Sequence, residues 1–318
     1  MKDKLLTVLK VAISLGLMAY VFTRPSILEA DWRGMLAGLR PGPWLLALAV
    51  YFIAIGLNVV KWRVLLRALA VDIPYPSLFR HNLVGLFFAN LPLSMIGGDI
   101  ARGWDLARTA AGQVAPVAVS VLLDRLVGLG AFLIAATLGL AFACAGLGRA
   151  DLRWLLATVA LILVGYLIAV SALMSQRLRR LVERLFGFAP LKRLLPLYQR
   201  LSDSVQVYRS RTRPLILAFG LGLATVAATC VVNYLAARAS GARVPVAWVL
   251  VLTPLTPFAL YIPSIASGLG VNQLVFVALY HNLAGVMPEP SALAFSLAMQ
   301  LIIVVSSLPG AVLWWRRK

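Results

Sequence analysis

Two proline–glycine breaks interrupt hydrophobic stretches of this chain and limit its fold more than any other feature. The first reads Leu91-Pro92-Leu93-Ser94-Met95-Ile96-Gly97-Gly98-Asp99, the second Ile262-Pro263-Ser264-Ile265-Ala266-Ser267-Gly268-Leu269-Gly270. Each puts a glycine five residues after a proline, and the two breaks lie 171 residues apart. A proline withdraws a backbone donor and a glycine relaxes the backbone, so neither stretch continues as an ordinary helix. Such backbone is tolerated at membrane depth only where protein or a water-filled cavity shields it. Matching breaks in two halves of an apolar chain point to the binding site of a transporter.

The surrounding sequence is a membrane sequence. Of 318 residues, 61% are hydrophobic and 13% charged, and mean hydropathy is +0.90. Full spans are expected near 5–23, 43–60, 116–143, 152–174, 214–237 and 291–314, with broken regions at about 75–113 and 246–286. Each full span is long enough for a hydrocarbon layer of about 30 Å. The fold expected is an all-α polytopic membrane protein of about six full spans plus two broken, re-entrant helical hairpins. It forms a single domain, 1–318, with halves at about 1–150 and 151–318. The offset of 171 maps the span beginning at Pro43 onto the one beginning at Pro214, which gives an inverted repeat.

The net charge of +19 lies in clusters between spans, which suits cytoplasmic loops and anionic lipid better than nucleic acid. Lys2, Lys4 and Lys10, then Lys61, Arg63, Arg67 and Arg80, then segment 175–213, then Arg316-Arg317-Lys318 all fall on one face under this topology. Both termini are thereby assigned to the cytoplasm of a bacterial plasma (inner) membrane. Segment 175–213 has the spacing of a basic amphipathic helix lying in the interface. Cys144, Cys230, His81 and His281 are too few and too scattered for a disulfide framework or a metal site. No cofactor is expected. No nucleophile, paired histidines or Walker loop stands in a suitable context, so an enzyme is not expected.

The candidate site residues gather at the breaks and in one span. Asp99 follows Gly97-Gly98 and is placed to cap a helix on which Arg102 and Asp105 pair at i, i+3. Arg102 is the candidate ligand of a lipid phosphate. Asp124 and Arg125 lie eight and nine residues into the span that starts at Pro116, so about 12 Å deep. Charges at that depth pair, face the interior or line a pathway. Asn90 and Asn58 read as buried amides needing partners, and Asn272 and Gln273 follow the second break without charge.

These residues carry a family likeness. Asn90-Leu91-Pro92 … Gly97-Gly98-Asp99 … Arg102, then Asp124-Arg125 … Gly128, then Pro263 … Gly268-Leu269-Gly270 resemble the lysylphosphatidylglycerol synthase transmembrane family. This is the flippase-like membrane domain of multiple peptide resistance factors and of many stand-alone bacterial proteins. The resemblance implies a membrane domain with re-entrant helices that moves a phospholipid or polyprenyl-linked lipid between leaflets. It does not extend to the aminoacyl-transfer domain. Family members often carry Arg-Glu or a similar charged pair where this chain has Asn272-Gln273, which points to a different headgroup.

Three functions follow from these readings. The first is a flippase whose partners are membrane lipids with an anionic headgroup, held between opposed hairpins by Arg102 and Arg125. The second is an ion- or solute-coupled transporter of similar architecture. The third is a non-transporting membrane partner of a lipid-modifying or glycosyl-transferring enzyme. The oligomeric state is left open.

Overall fold

A computed structural model describes residues 38–90, 95–109, 113–175, 208, 211–260 and 271–316. The expected first span at 5–23, most of segment 175–213 and the break residues Pro92, Pro263, Gly268 and Gly270 lie outside the described residues.

Among the described residues all regular structure is helical. The helices are α1 (Pro41–Ala68), α2 (Tyr75–Ala89), α3 (Met95–Thr109), α4 (Val114–Gly146), α5 (Arg153–Met174) and α6 (Thr212–Ala239). Next come α7 (Val246–Leu252), a 3₁₀ turn (Thr253–Leu255) and α8 (Thr256–Leu260). Then α9 (Val271–Phe276) runs into a π-helical stretch (Val277–Leu283), and α10 (Glu289–Trp315) ends the described chain. Five of these helices are long and apolar enough to cross a membrane: α1, α4, α5 with the turn before it, α6 and α10. By contrast α2 and α3 have 15 residues each, about 22 Å at 1.5 Å per residue, short of a full crossing.

The offset read from the breaks is carried by helix boundaries. Both ends of α1 recur in α6, and both ends of α2 recur in the helical run 246–260, each 171 residues on. The α9–π stretch and α10 then follow in the order of α3 and α4. Pro74 and Pro245, also 171 apart, stand just before the short arms and set an extended approach to each.

The chain divides into two compact units. One takes the described parts of Met1–Gly56, Phe79–Arg102 and Thr225–Lys318, the other Leu57–Leu78 and the described parts of Gly103–Ala224. In the first, α10 is the central helix, with 56% of its apolar window buried. Trp44 Nε1 on α1 donates to the Ala298 carbonyl of α10 at 3.3 Å. Gly310 brings α2 against α10 so closely that a Cβ there would meet the Leu83 carbonyl. Phe276, Tyr280 and Phe295 fill the adjoining interior, with ring centroids 4.8 to 5.7 Å apart.

In the second unit α4 is the scaffold. Tyr166 on α5 donates to the Leu126 carbonyl at 2.7 Å, beside Gly130, where a Cβ would lie 2.6 Å from the tyrosine oxygen. The outer face of α5 is apolar and bare: Leu161 is 72% and Ile168 56% exposed. Such a stripe is costly in water and ordinary against acyl chains. Tyr208, from the basic segment, is fully buried against Leu65, Leu123 and Val127 and donates to the Leu65 carbonyl at 2.6 Å. Arg211 Nη1 donates to the Ala68 carbonyl at 2.8 Å, satisfying the C-terminal end of α1.

Candidate functional site

In the first unit the site is built around Arg102. α2 and α3 meet where both carry glycine. A Cβ on Gly98 would lie 2.6 Å from the Gly85 carbonyl, and one on Gly85 would lie 2.9 Å from Arg102 Cβ. Small residues let helix backbones approach this closely in a membrane. That approach places Arg102 of α3 beside Asn82 of α2. Nη1 donates to Asn82 Oδ1 at 3.2 Å, while Nη2 lies 3.0 Å from Asp99 Oδ1, one turn back on α3. Arg102 and Asn82 are each 5% exposed. The Asp99 side chain is 17% exposed, so the carboxylate is the wetter partner of the guanidinium. The result is a permanent cation with a neutral and an anionic acceptor among its partners, and a planar fork suited to carboxylate or phosphate.

Several sequence expectations are corrected here. The helix begins at Met95, so Gly97, Gly98 and Asp99 lie inside it, and Gly98 serves helix contact instead of ending a helix. Asp99 lies within α3 as an ion-pair partner of Arg102 one turn on, and is not a cap. Asn58 and Asn90 are half-buried, not buried, and the Asn90 amide N–H closes α2 onto the Leu86 and Phe87 carbonyls. The buried amide that matters is Asn82, which sequence reasoning missed.

Because a Cβ on Gly98 would meet backbone, Gly98→Ala should destabilise the hairpin by about 1–3 kcal/mol, the usual cost of overpacking. Thermal unfolding in detergent checks it, with a lower midpoint expected.

A second polar group lies in the second unit. The sequence puts Lys61 in a loop after a span ending at 60, but α1 continues to Ala68 and buries it. Its Nζ lies 3.2 Å from Asp124 Oδ1 and donates to the Asp124 carbonyl at 3.3 Å, with the two side chains 5% and 3% exposed. Gly128, one turn on, keeps the space open: a Cβ there would lie 3.4 Å from Nζ. Alongside, Trp62 Nε1 donates to Ser120 Oγ at 3.0 Å, and Ser120 Oγ donates to the Val117 carbonyl at 2.7 Å. Asp124 is therefore buried and paired with Lys61, while Arg125 is only half-buried.

The second broken region is polar without charge. Asn272 and Gln273 on α9 are both 4% exposed, and Asn272 Nδ2 donates to Gln300 Oε1 of α10 at 3.3 Å. Asp99, Arg102, Asn272 and Gln273 thus share the first unit, whereas Asp124 and Arg125 belong to the second.

Spanning helices, short broken arms at a fixed repeat and a buried guanidinium on one arm define a polytopic α-helical membrane protein with a polar interior. The chain belongs to the lysylphosphatidylglycerol synthase TM region family, whose model matches residues 7–310. A UPF0104 membrane protein of Methanothermobacter thermautotrophicus is 25% identical over 267 residues, covering 79% of this chain and 78% of that protein. No solved structure matches.

Proposed function

We propose that this protein moves a lipid with an anionic headgroup between membrane leaflets, acting as a transporter and not as an enzyme. The observation that carries the reading is the buried Arg102 fork on a short helical arm beside a break. A charged side chain at membrane depth costs roughly 2.5–3.5 kcal/mol on insertion scales, so a chain keeps one for pairing or for a pathway. The family, with its membrane region of a lipid-modifying synthase, supports a lipid as the cargo.

Asn82 and Asp99 have different parts in this mechanism. Asn82 holds the guanidinium in place through a neutral bond that survives when an anion arrives. Asp99 is the resident anion, wetter than its partner and displaceable by a phosphate that brings the same charge and more acceptor oxygens. Exchange of Asp99 for phosphate loads the site, and its return releases the headgroup. The acyl chains stay in lipid throughout. The site faces the cytoplasm or the opposite side by rocking of the short arms, in a bacterial plasma membrane with both termini cytoplasmic.

The scheme predicts that Asp99→Asn removes the competitor and holds the headgroup tighter. Binding of short-chain phosphatidylglycerol to the detergent-purified chain should strengthen by about 10-fold, the scale of one charged hydrogen bond. Phosphatidylcholine serves as the comparison lipid. Unchanged or weaker phosphatidylglycerol binding by the variant removes Asp99 from the loading step.

A further inference from the structure

A cavity of about 300 Å³ lies in the second unit, where the end of α1 meets the start of α6. Val64, Pro214 and Leu217 give it apolar walls, and the exposed side chains of Arg67, Arg211 and Arg213 supply its charge. No acidic side chain lines it among the described residues. The volume is at the lower end of the range for ligand cavities, so it takes a headgroup and leaves long chains outside.

The corner is held in place from below. Ala68 belongs to a buried cluster with Leu65, Tyr208 and Ala218, and Arg211 Nη1 donates to the Ala68 carbonyl at 2.8 Å. That bond uses one of the five guanidinium donors. Arg67 is answered by Asp72, whose Oδ1 lies 2.9 Å from Arg67 Nε and 3.7 Å from Arg63 Nη2. One carboxylate thus serves two arginines, while Arg211 and Arg213 have no acidic partner among the described residues. Like charges around one small cavity repel, and an anion between them turns repulsion into attraction.

The internal repeat separates the cations that close the corner from the one that does not. At an offset of 171, Arg67 corresponds to Arg238, Ala68 to Ala239 and Arg211 to Arg40. In the first half, too, the arginine closes a helix end: the Arg40 amide N–H donates to the Ala239 carbonyl at 2.8 Å. Closing the corner therefore accounts for Arg211. It does not account for Arg213, which has Gly42 as its counterpart and closes no hydrogen bond or ion pair among the described residues.

The walls choose between a free anion and a lipid. Leu217 is 60% exposed and its neighbour Ile216 71%, so the apolar wall continues onto the outer surface of α6. A ligand that is anionic at one end and apolar at the other matches both parts. Guanidinium forks suit phosphate, and basic pockets between spanning helices hold anionic phospholipid headgroups.

We propose that Arg67, Arg211 and Arg213 hold the phosphate of an anionic phospholipid whose acyl chains run out along Leu217. The site belongs to the second unit and Arg102 to the first. It does not rest on the transport reading, because binding is measured without lipid movement.

The test is binding of short-chain phosphatidylglycerol to the detergent-purified full chain carrying Arg102→Ala, which takes away the headgroup site proposed above. Phosphatidylglycerol should bind more tightly than phosphatidylcholine and than glycerol phosphate, the headgroup without its chains. Adding Arg213→Gln should weaken phosphatidylglycerol binding about 10-fold, the scale of one charged hydrogen bond. Adding Arg238→Gln, the same change at the repeat position of Arg67, should leave it unaltered. If Arg102→Ala fails to fold, a photoactivatable phosphatidylglycerol decides the same point on the wild-type chain. It should label α6 beside Leu217, and Arg213→Gln should reduce that labelling. Equal binding of the two lipids, glycerol phosphate binding as tight as the lipid, equal losses from Arg213→Gln and Arg238→Gln, or labelling that Arg213→Gln leaves unchanged overturns the site.

Discussion

Replacing Arg102 with alanine is expected to reduce lipid exchange about 10–100-fold while leaving the protein folded, the range for losing hydrogen bonds to a charged group. The reduction follows from geometry as well as charge. The guanidinium reaches Asn82 with Nη1 and Asp99 with Nη2, so its plane is set from two sides before any ligand arrives. Arg102→Lys keeps the charge but offers no planar fork, and one ammonium does not satisfy both acceptors at the same positions. It should therefore recover only a small part of the exchange. A merely structural arginine would behave differently: alanine would lower the unfolding midpoint, and lysine would restore midpoint and exchange together.

The second large effect is on stability. Asp124→Ala leaves the Lys61 ammonium buried without its counter-charge, which typically costs about 3–5 kcal/mol. Removing both partners as Lys61→Met with Asp124→Leu should return most of that loss, because a well-packed apolar pair replaces a buried ion pair at little cost. A double-mutant cycle by chemical unfolding measures the coupling. Additive losses would mean that the pair does not join α1 to α4. The Trp62–Ser120 bond beside it is untouched in every variant and keeps the α1–α4 register as an internal control.

The two predictions separate two uses of buried charge. Arg102 is paired with a carboxylate that is partly wet, and it has a neutral second acceptor to hold it when the carboxylate leaves. Lys61 and Asp124 are both dry, and the ammonium also bonds the Asp124 backbone, so the pair is locked into the helix contact. The first arrangement suits the proposed exchange of anions, the second the holding of two helices together.

Much of the fold is legible because hydropathy and proline placement are local signals. The spans from 43, 116, 152, 214 and 291 each fall within a few residues of a long helix, and the 171-residue offset reappears in the boundaries of α1, α2, α6 and the run 246–260. What fails depends on distant partners. Lys61 looks in sequence like any basic residue at the end of a span, and only Asp124, 63 positions away, turns it inward. Asn82 carries no local mark, and its role comes from a partner 20 residues on, on the other short arm. Gly97-Gly98 misleads for a related reason. A helix break and a close helix contact both need a residue without Cβ, and the sequence around them does not say which applies. The cap expected of Asp99 then disappears, because the longer helix takes the residue into its first turns.

The central claim, movement of an anionic lipid through a site at Arg102, is tested most directly by leaflet exchange of labelled phosphatidylglycerol and phosphatidylcholine in proteoliposomes. Faster exchange of phosphatidylglycerol than of phosphatidylcholine, above the rate in protein-free vesicles and lost in folded Arg102→Ala, is the predicted result. Exchange no faster than in protein-free vesicles, or identical in wild type and Arg102→Ala, would contradict it.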